Sequence, residues 1–225
     1  MHKLIRRLYA SAAIVGAALS PQAQASTVID FEGSIAGLYF AGQSFSQSGF
    51  TMTAGHDFGT VGVASDLGSV GPSGNATQFF FNSNDGLLTL RSSTGSLFNL
   101  EGFSAAFVPL NPPPVPTPTT VLVAVGLSID EPAFGTFFSF ASSATSSFPF
   151  ASYNNPADFG RFKNLVGVQF YACVLDTGVC ATPTLNNGQF AIDDIKVTAV
   201  PEPTTLLLMT AGLLGLALRA RRSPR

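Results

Sequence analysis

The chain has 225 residues, room for one domain and short targeting segments, and only 11% of them are charged, against about 25% in an average soluble domain. Phe (21) and Gly (22) are abundant and Trp is absent, so there is ample apolar material to bury, which excludes a disordered chain. Between Ser26 and Val200 four basic residues stand against twelve acidic ones, a net of −8, which excludes the basic footprint that nucleic-acid binding needs.

Residues 1–25 read as a secretory signal peptide, to be handed to the secretion machinery. Lys3, Arg6 and Arg7 form a basic start, Leu8 to Leu19 an apolar stretch too short to span a bilayer, and Ala23-Gln24-Ala25 a small-x-small cleavage site. Cleavage between Ala25 and Ser26 would leave a mature chain beginning at Ser26.

From Ser26 to Ala199 the chain shows short apolar runs broken by Gly, Asn, Asp, Ser and Pro, the pattern of an all-β domain. Strands are predicted over Thr27–Glu32, Gly49–Thr53, Thr77–Asn82, Leu87–Arg91, Leu100–Val108, Thr120–Leu127, Thr136–Ala141, Ser147–Tyr153, Leu165–Val174 and Phe190–Val197. Asn84-Asp85-Gly86 is predicted to be a hairpin turn between Phe79–Phe81 and Leu87–Leu90. The Pro-rich run Asn111–Pro118 is a predicted loop, since five prolines cannot sit in a sheet, and reads as a stiff connector between two strands, with a boundary between two subdomains as the alternative. About ten strands suggest a two-sheet antiparallel β-sandwich of jelly-roll type with a Phe-rich core. In Phe79-Phe80-Phe81 and Phe137-Phe138 alternate rings must point outward, where they are exposed or covered by loops.

The only cysteines, Cys173 and Cys180, flank Asp176-Thr177-Gly178, which can turn the chain back so that the thiols meet. In an oxidising compartment they read as a structural disulfide. The mature chain has one histidine, His56, in a predicted loop, which excludes a multi-histidine metal site. No Gly-x-Ser-x-Gly elbow or phosphate-binding glycine loop occurs, and no pair of carboxylates is singled out for hydrolysis. The body is therefore expected not to be an enzyme. Tyr39 and Tyr153, near loops, are the candidate exposed rings for a sugar platform, against the plainer role of packing residues. Thr51-Met52-Thr53 stands alone, without the repeat an ice-binding face would need.

Ile29-Asp30-Phe31-Glu32-Gly33 opens the body, and Phe190-Ala191-Ile192-Asp193-Asp194-Ile195-Lys196-Val197 closes it. This pairing resembles the first and last strands of jelly-roll carbohydrate-binding modules. The resemblance implies that Glu32 and Asp193, with Asp194 and Asp30 as neighbours, help hold a structural calcium. Calcium takes six to eight oxygens, so carbonyls and other side chains would have to join. The plainer alternative is acids solvated at strand edges or paired with Lys196.

The last 26 residues begin with Val200-Pro201-Glu202-Pro203, continue with the uncharged Leu206 to Leu218, and close on Arg219, Arg221 and Arg222. The two prolines keep Glu202 in extended chain. The apolar segment is expected to form a transmembrane helix whose arginines stay cytoplasmic. In motif, order and spacing this tail resembles the PEP-CTERM sorting domain, a tail also labelled as an ice-binding C-terminal domain. The resemblance implies recognition by an exosortase, transient anchoring in the inner membrane, and display at the surface or in the biofilm matrix of a Gram-negative bacterium. The domain order is then a signal peptide (1–25), a β-sandwich (26–199) and a sorting tail (200–225). Three readings of the body follow in order: a non-catalytic surface or matrix domain, a carbohydrate-binding module for exopolysaccharide with structural calcium, and a polysaccharide hydrolase.

Overall fold

Alternation of buried and less buried residues builds several of the strands. In Phe50-Thr51-Met52-Thr53-Ala54-Gly55 every second residue is buried, and Leu88 with Leu90, and Val168 with Phe170 and Ala172, repeat the pattern. The computed structural model describes residues 26–33, 35–83, 85–109, 120–140, 148–176, 179–180, 188–200 and Gly212. Among them the strands are β1 (Ser26–Ile29), β2 (Gly37–Phe40), β3 (Ser44–Gln47), β4 (Phe50–Gly55), β5 (Phe58–Gly62), β6 (Phe79–Asn82), β7 (Leu87–Ser92), β8 (Phe98–Phe107), β9 (Thr120–Ser128), β10 (Phe134–Ser139), β11 (Ala151–Tyr153), β12 (Leu165–Asp176), β13 (Val179–Cys180) and β14 (Phe190–Ala199). One 3-10 segment, η1 (Ala64–Val70), lies between β5 and β6.

The strands form one 14-stranded antiparallel sheet along the path β2-β5-β6-β14-β8-β12-β7-β4-β3, with β1, β9, β10, β11 and β13 added at its sides. It is curled toward a barrel. The two halves of the path are linked by a single pair, Phe98 with Leu165. At the other side β2 runs into β3 through a turn pinned to the β4–β5 corner, where Gly42 donates to the Ala54 carbonyl and Ala41 to that of Asp57. The expected all-β class is therefore present.

The Asn84-Asp85-Gly86 turn differs from its expectation. It joins β6 to β7, but these strands do not pair. Both edges of β6 are taken by β5 and β14, and both edges of β7 by β4 and β12. The turn carries the chain from one half of the sheet to the other. A true tight hairpin forms instead between β3 and β4, where Ser48 and Gly49 both have positive φ (54° and 82°), as such turns require.

The interior is aromatic. Phe103 sits 4.9 Å from Phe138, 5.8 Å from Phe159 and 5.4 Å from Phe170, all near edge-to-face. A second group joins Phe31, Phe45 and Phe80. Gly59 has no side chain because a Cβ there would strike the Phe80 ring. Both expected fates of an outward Phe occur. Phe79 is covered by Phe150 at 5.3 Å and by Leu67 and Val70 of η1, whereas Phe137 is 53% exposed. Cys173 and Cys180 are joined as expected, their Cα atoms 5.6 Å apart, tying β13 to β12.

Residues 1–25, the Pro-rich run and most of the sorting tail lie outside the described residues, so the signal peptide and the transmembrane helix do too. Among the described residues no helix is long and apolar enough to cross a membrane.

Truncating the centre of the aromatic interior should be costly. Phe103→Ala is expected to lower unfolding free energy by about 3–5 kcal/mol, and Phe40→Ala, at an exposed ring, by within about 0.5 kcal/mol. Urea denaturation of both variants checks the contrast.

Candidate functional site

The site grows from a phase slip in β14. Phe190 and Ile192 face the interior, and so do Ile195 and Val197, so the inward phase changes from even to odd positions between them. Asp193-Asp194 takes up the extra residue, and Asp194 adopts positive φ (49°). The partner strand slips at the same level. In β8 the inward residues pass from Phe98 and Leu100 to Phe103 and Ala105 across Gly102. Because both strands slip, Phe190–Phe107 and Ala199–Phe98 remain in one register. Gly102 is required at this point because a Cβ would press on the Tyr153 carbonyl at 2.7 Å.

The same level is a junction on the opposite edge of β14. There β1 pairs with Ile195–Thr198 and β6 with Phe190–Ile192, leaving Asp193-Asp194 between the end of one strand and the start of the other. Asp193 is buried at 2% exposure. Its Oδ2 accepts hydrogen bonds from Asn75 Nδ2 (2.6 Å) and Thr77 Oγ1 (3.3 Å), and its Oδ1 from the Asp194 amide (2.7 Å). Burial pushes the Asp193 carboxyl up to about 7, against the lowering effect of these donors.

Glu32 grips the same connection three residues on, its Oε1 accepting from the Gln78 amide at 2.8 Å. The two residues nominated from sequence are thus brought to one segment, Asn75–Gln78, from opposite ends of the chain. Asp30 lies beside Glu32. Gln47 Nε2 donates to Asp30 Oδ1 (2.7 Å) and to the Glu32 carbonyl (3.0 Å), and Gln47 Oε1 accepts from the Phe31 amide. Asp194 is exposed and takes a long contact from Ser104 Oγ (3.5 Å). Among the described residues Lys196 makes no ion pair with these acids, and the one salt bridge is Arg161–Glu131.

The carboxylate oxygens of Glu32 and Asp193 are donors of the kind a hard cation takes, although N–H donors from Asn75 and Asp194 already occupy those of Asp193. Gln78 Oε1 is buried with no hydrogen-bond partner, an orphaned acceptor on the same segment. Carboxylates alone do not complete a coordination sphere: among the described residues no three Asp, Glu, His or Cys side chains come together. Residues that would hold calcium are Glu32, Asp193 and Gln78, with backbone carbonyls supplying the balance.

The aromatic candidates fall differently from one another. Tyr39 packs on Phe45 at 4.4 Å and its hydroxyl donates to the Ile35 carbonyl. Tyr153 packs on Phe103 and donates to the Ser139 carbonyl, and burial pushes its phenol up to about 12. Both are packing residues. Sequence reasoning passed over Tyr171, which lies on the outer face of β12 and lines a depression with His56, Asp85 and Gln169. Alternation along Gln169-Phe170-Tyr171 was the available signal.

Residues 199–222 match the model of the PEP-CTERM protein-sorting motif. The C-terminal segment is a PEP-CTERM sorting signal. It follows β14 without a spacer, and the Val200 amide still donates to the Leu97 carbonyl at 2.9 Å. Such a signal implies recognition by an exosortase and export. No curated protein sequence matches the chain. Among solved structures, a DUF4465 family protein from Bacteroides caccae is similar, with a TM-score of 0.53 at 12% identity, over 78% of this chain and 100% of that one. At that identity the likeness concerns the β-rich fold alone. The enzymatically active domain of tailspike protein 4 from bacteriophage CBA120 aligns with a TM-score of 0.28 at 16% identity, over 74% of this chain and 20% of that one. A score that low carries no argument.

The raised Asp193 carboxyl sets a pH dependence. The folded chain keeps this proton up to about pH 7, whereas the unfolded chain releases it near pH 4. Between those values the folded state binds more protons, so stability falls as pH rises. Thermal unfolding of the metal-free protein should show a melting temperature lower at pH 8 than at pH 5, with a smaller drop in Asp193→Asn.

Proposed function

We propose that this is an exported, exosortase-sorted protein whose non-catalytic β domain is displayed at the cell surface or in the extracellular matrix of a Gram-negative bacterium. The observation that carries the reading is the sorting motif over residues 199–222, continuous with the last strand of the body. The tail passes through the inner membrane as an anchored intermediate and is cut near Val200-Pro201-Glu202-Pro203. Arg219, Arg221 and Arg222 hold its end in the cytoplasm. A disulfide at Cys173–Cys180 suits the oxidising side of the membrane. The body is a jelly-roll-type sandwich on this reading. Its support is the single pair joining the two halves of the sheet and the shared aromatic interior between them. The non-catalytic reading is supported by the engagement of Glu32 and Asp193 with the 75–78 segment, as structural rather than reacting groups.

A second reading, a carbohydrate-binding domain for exopolysaccharide with a structural calcium, is favoured by the engagement of Glu32 and Asp193 with the one segment that also carries the orphaned Gln78 Oε1. Calcium there would hold Asp193 ionised and tie the two chain ends together through Asn75–Gln78.

Each reading has its own test. In cells that contain the cognate exosortase, Glu202→Ala is expected to leave an unprocessed chain in the membrane fraction, while the wild type reaches the surface or medium. Wild-type release of the Glu202→Ala chain would remove the sorting reading. For calcium, the melting temperature should rise with added metal and fall back with chelator, and more so at pH 8 than at pH 5. Glu32→Gln and Asp193→Asn should abolish the rise, and no rise in the wild type would remove the calcium.

A further inference from the structure

The outer face of β7 and β12 carries polar groups that the described residues leave unbonded, beside β4, whose Thr53 hydroxyl is bonded to that of Ser44 at 2.8 Å. Register places Thr53 beside Thr89, Thr89 beside Gln169, and Leu87 beside Tyr171. At the end of this face, where the β4–β5 corner meets the β6–β7 turn, His56, Asp85, Leu87, Gln169, Tyr171 and Ala172 enclose a depression of about 280 Å³. The two turn residues, His56 and Asp85, both hold positive φ (56° and 57°). Such conformations cost energy for a side-chain-bearing residue and recur at binding sites.

Among the described residues the Tyr171 hydroxyl, the Gln169 amide, the Thr89 hydroxyl and the His56 ring have no hydrogen-bond partner in the protein. Asp85 spends one carboxylate oxygen on the Gly188 amide and has no partner for the other. The Tyr171 ring is packed along the buried group of Val121, Val123 and Cys173, beside the disulfide. That support holds the ring in place before any ligand arrives, which lowers the cost of binding.

We propose that this depression binds one uncharged pyranose unit of a polysaccharide. A sugar ring offers what the lining lacks. Its hydroxyls both donate and accept, so they match a carboxylate oxygen, an amide and a phenol at once. Its C–H face is apolar and fits Leu87 and the face or edge of Tyr171. An anionic sugar is disfavoured by Asp85, and among the described residues no Lys or Arg lines the depression to offset it. The size agrees, since pockets for larger ligands run from about 300 to 1,000 Å³. This inference rests on the carbohydrate-binding reading and supplies its site, away from Glu32 and Asp193 in sequence and independent of the tail.

The test uses the full chain in a detergent without a sugar headgroup, since a maltoside would compete. Saturation-transfer NMR is run with neutral hexasaccharides of glucose, mannose and galactose, and with a hexagalacturonate as the anionic comparison. The expected result is transfer to at least one neutral sugar, with a Kd of about 1 mM or tighter. Tyr171→Ala and Gln169→Ala should weaken it by about tenfold or more, while Phe137→Ala, an exposed ring on another strand, leaves it unchanged. Gln169→Ala removes only an outward polar group, so its result stands even where Tyr171→Ala loses stability. No transfer to any neutral sugar overturns the proposal, as does transfer undiminished in both variants or confined to the uronate. Calcium-dependent melting and tail processing are read separately, so a failure here is distinct from failure of either.

Discussion

The structure depends on keeping one long strand, β14, in apolar phase across a junction between two neighbours. Its edge is shared by β1 and β6 in succession, and the inward residues must face the core on both sides of the gap. A strand of strict period two cannot change phase without an extra residue. Asp193-Asp194 supplies it, matched by Gly102 in β8, and the junction thereby acquires a buried carboxylate. That carboxylate needs donors, and the η1–β6 connection provides them through Asn75 and Thr77. The candidate metal-binding position is thus a consequence of how the sheet is stitched, and Glu32, just past β1, completes the stitch from the other side.

The same logic links the body to its tail. Ser26, the expected first residue of the mature chain, pairs with Thr198. The start of the body and the origin of the sorting motif therefore sit on adjacent strands. β14 carries the core, the junction and the start of the sorting motif within ten residues. Cutting near Pro201–Pro203 would release the body without removing a residue of β14.

Much of this was legible in the sequence. Ten strands appeared as apolar runs, and the doubled acid in Phe-Ala-Ile-Asp-Asp-Ile-Lys-Val marked the phase slip, although its meaning came only with the register. The sorting tail was readable because prolines, apolar length and arginines occur in fixed order. β3 and β5 were missed because Gly, Ser, Thr and Gln leave them with only one or two large apolar residues each, and β2 and β13 because they are only four and two residues long. The Asn84-Asp85-Gly86 turn was visible, but its strands' partners were not, since pairing depends on which edges remain free. Tyr171 was overlooked because its depression draws on three separate stretches of chain, and only the folded sheet puts them side by side.

The sorting claim is tested most directly by the intact mass of the protein recovered from the surface or medium of its native cells. The account predicts a chain that begins at Ser26 and ends near Pro201–Pro203, with any further mass attributable to a group joined at that new end. A surface-exposed chain that still carries Leu206 through Arg225 would contradict it.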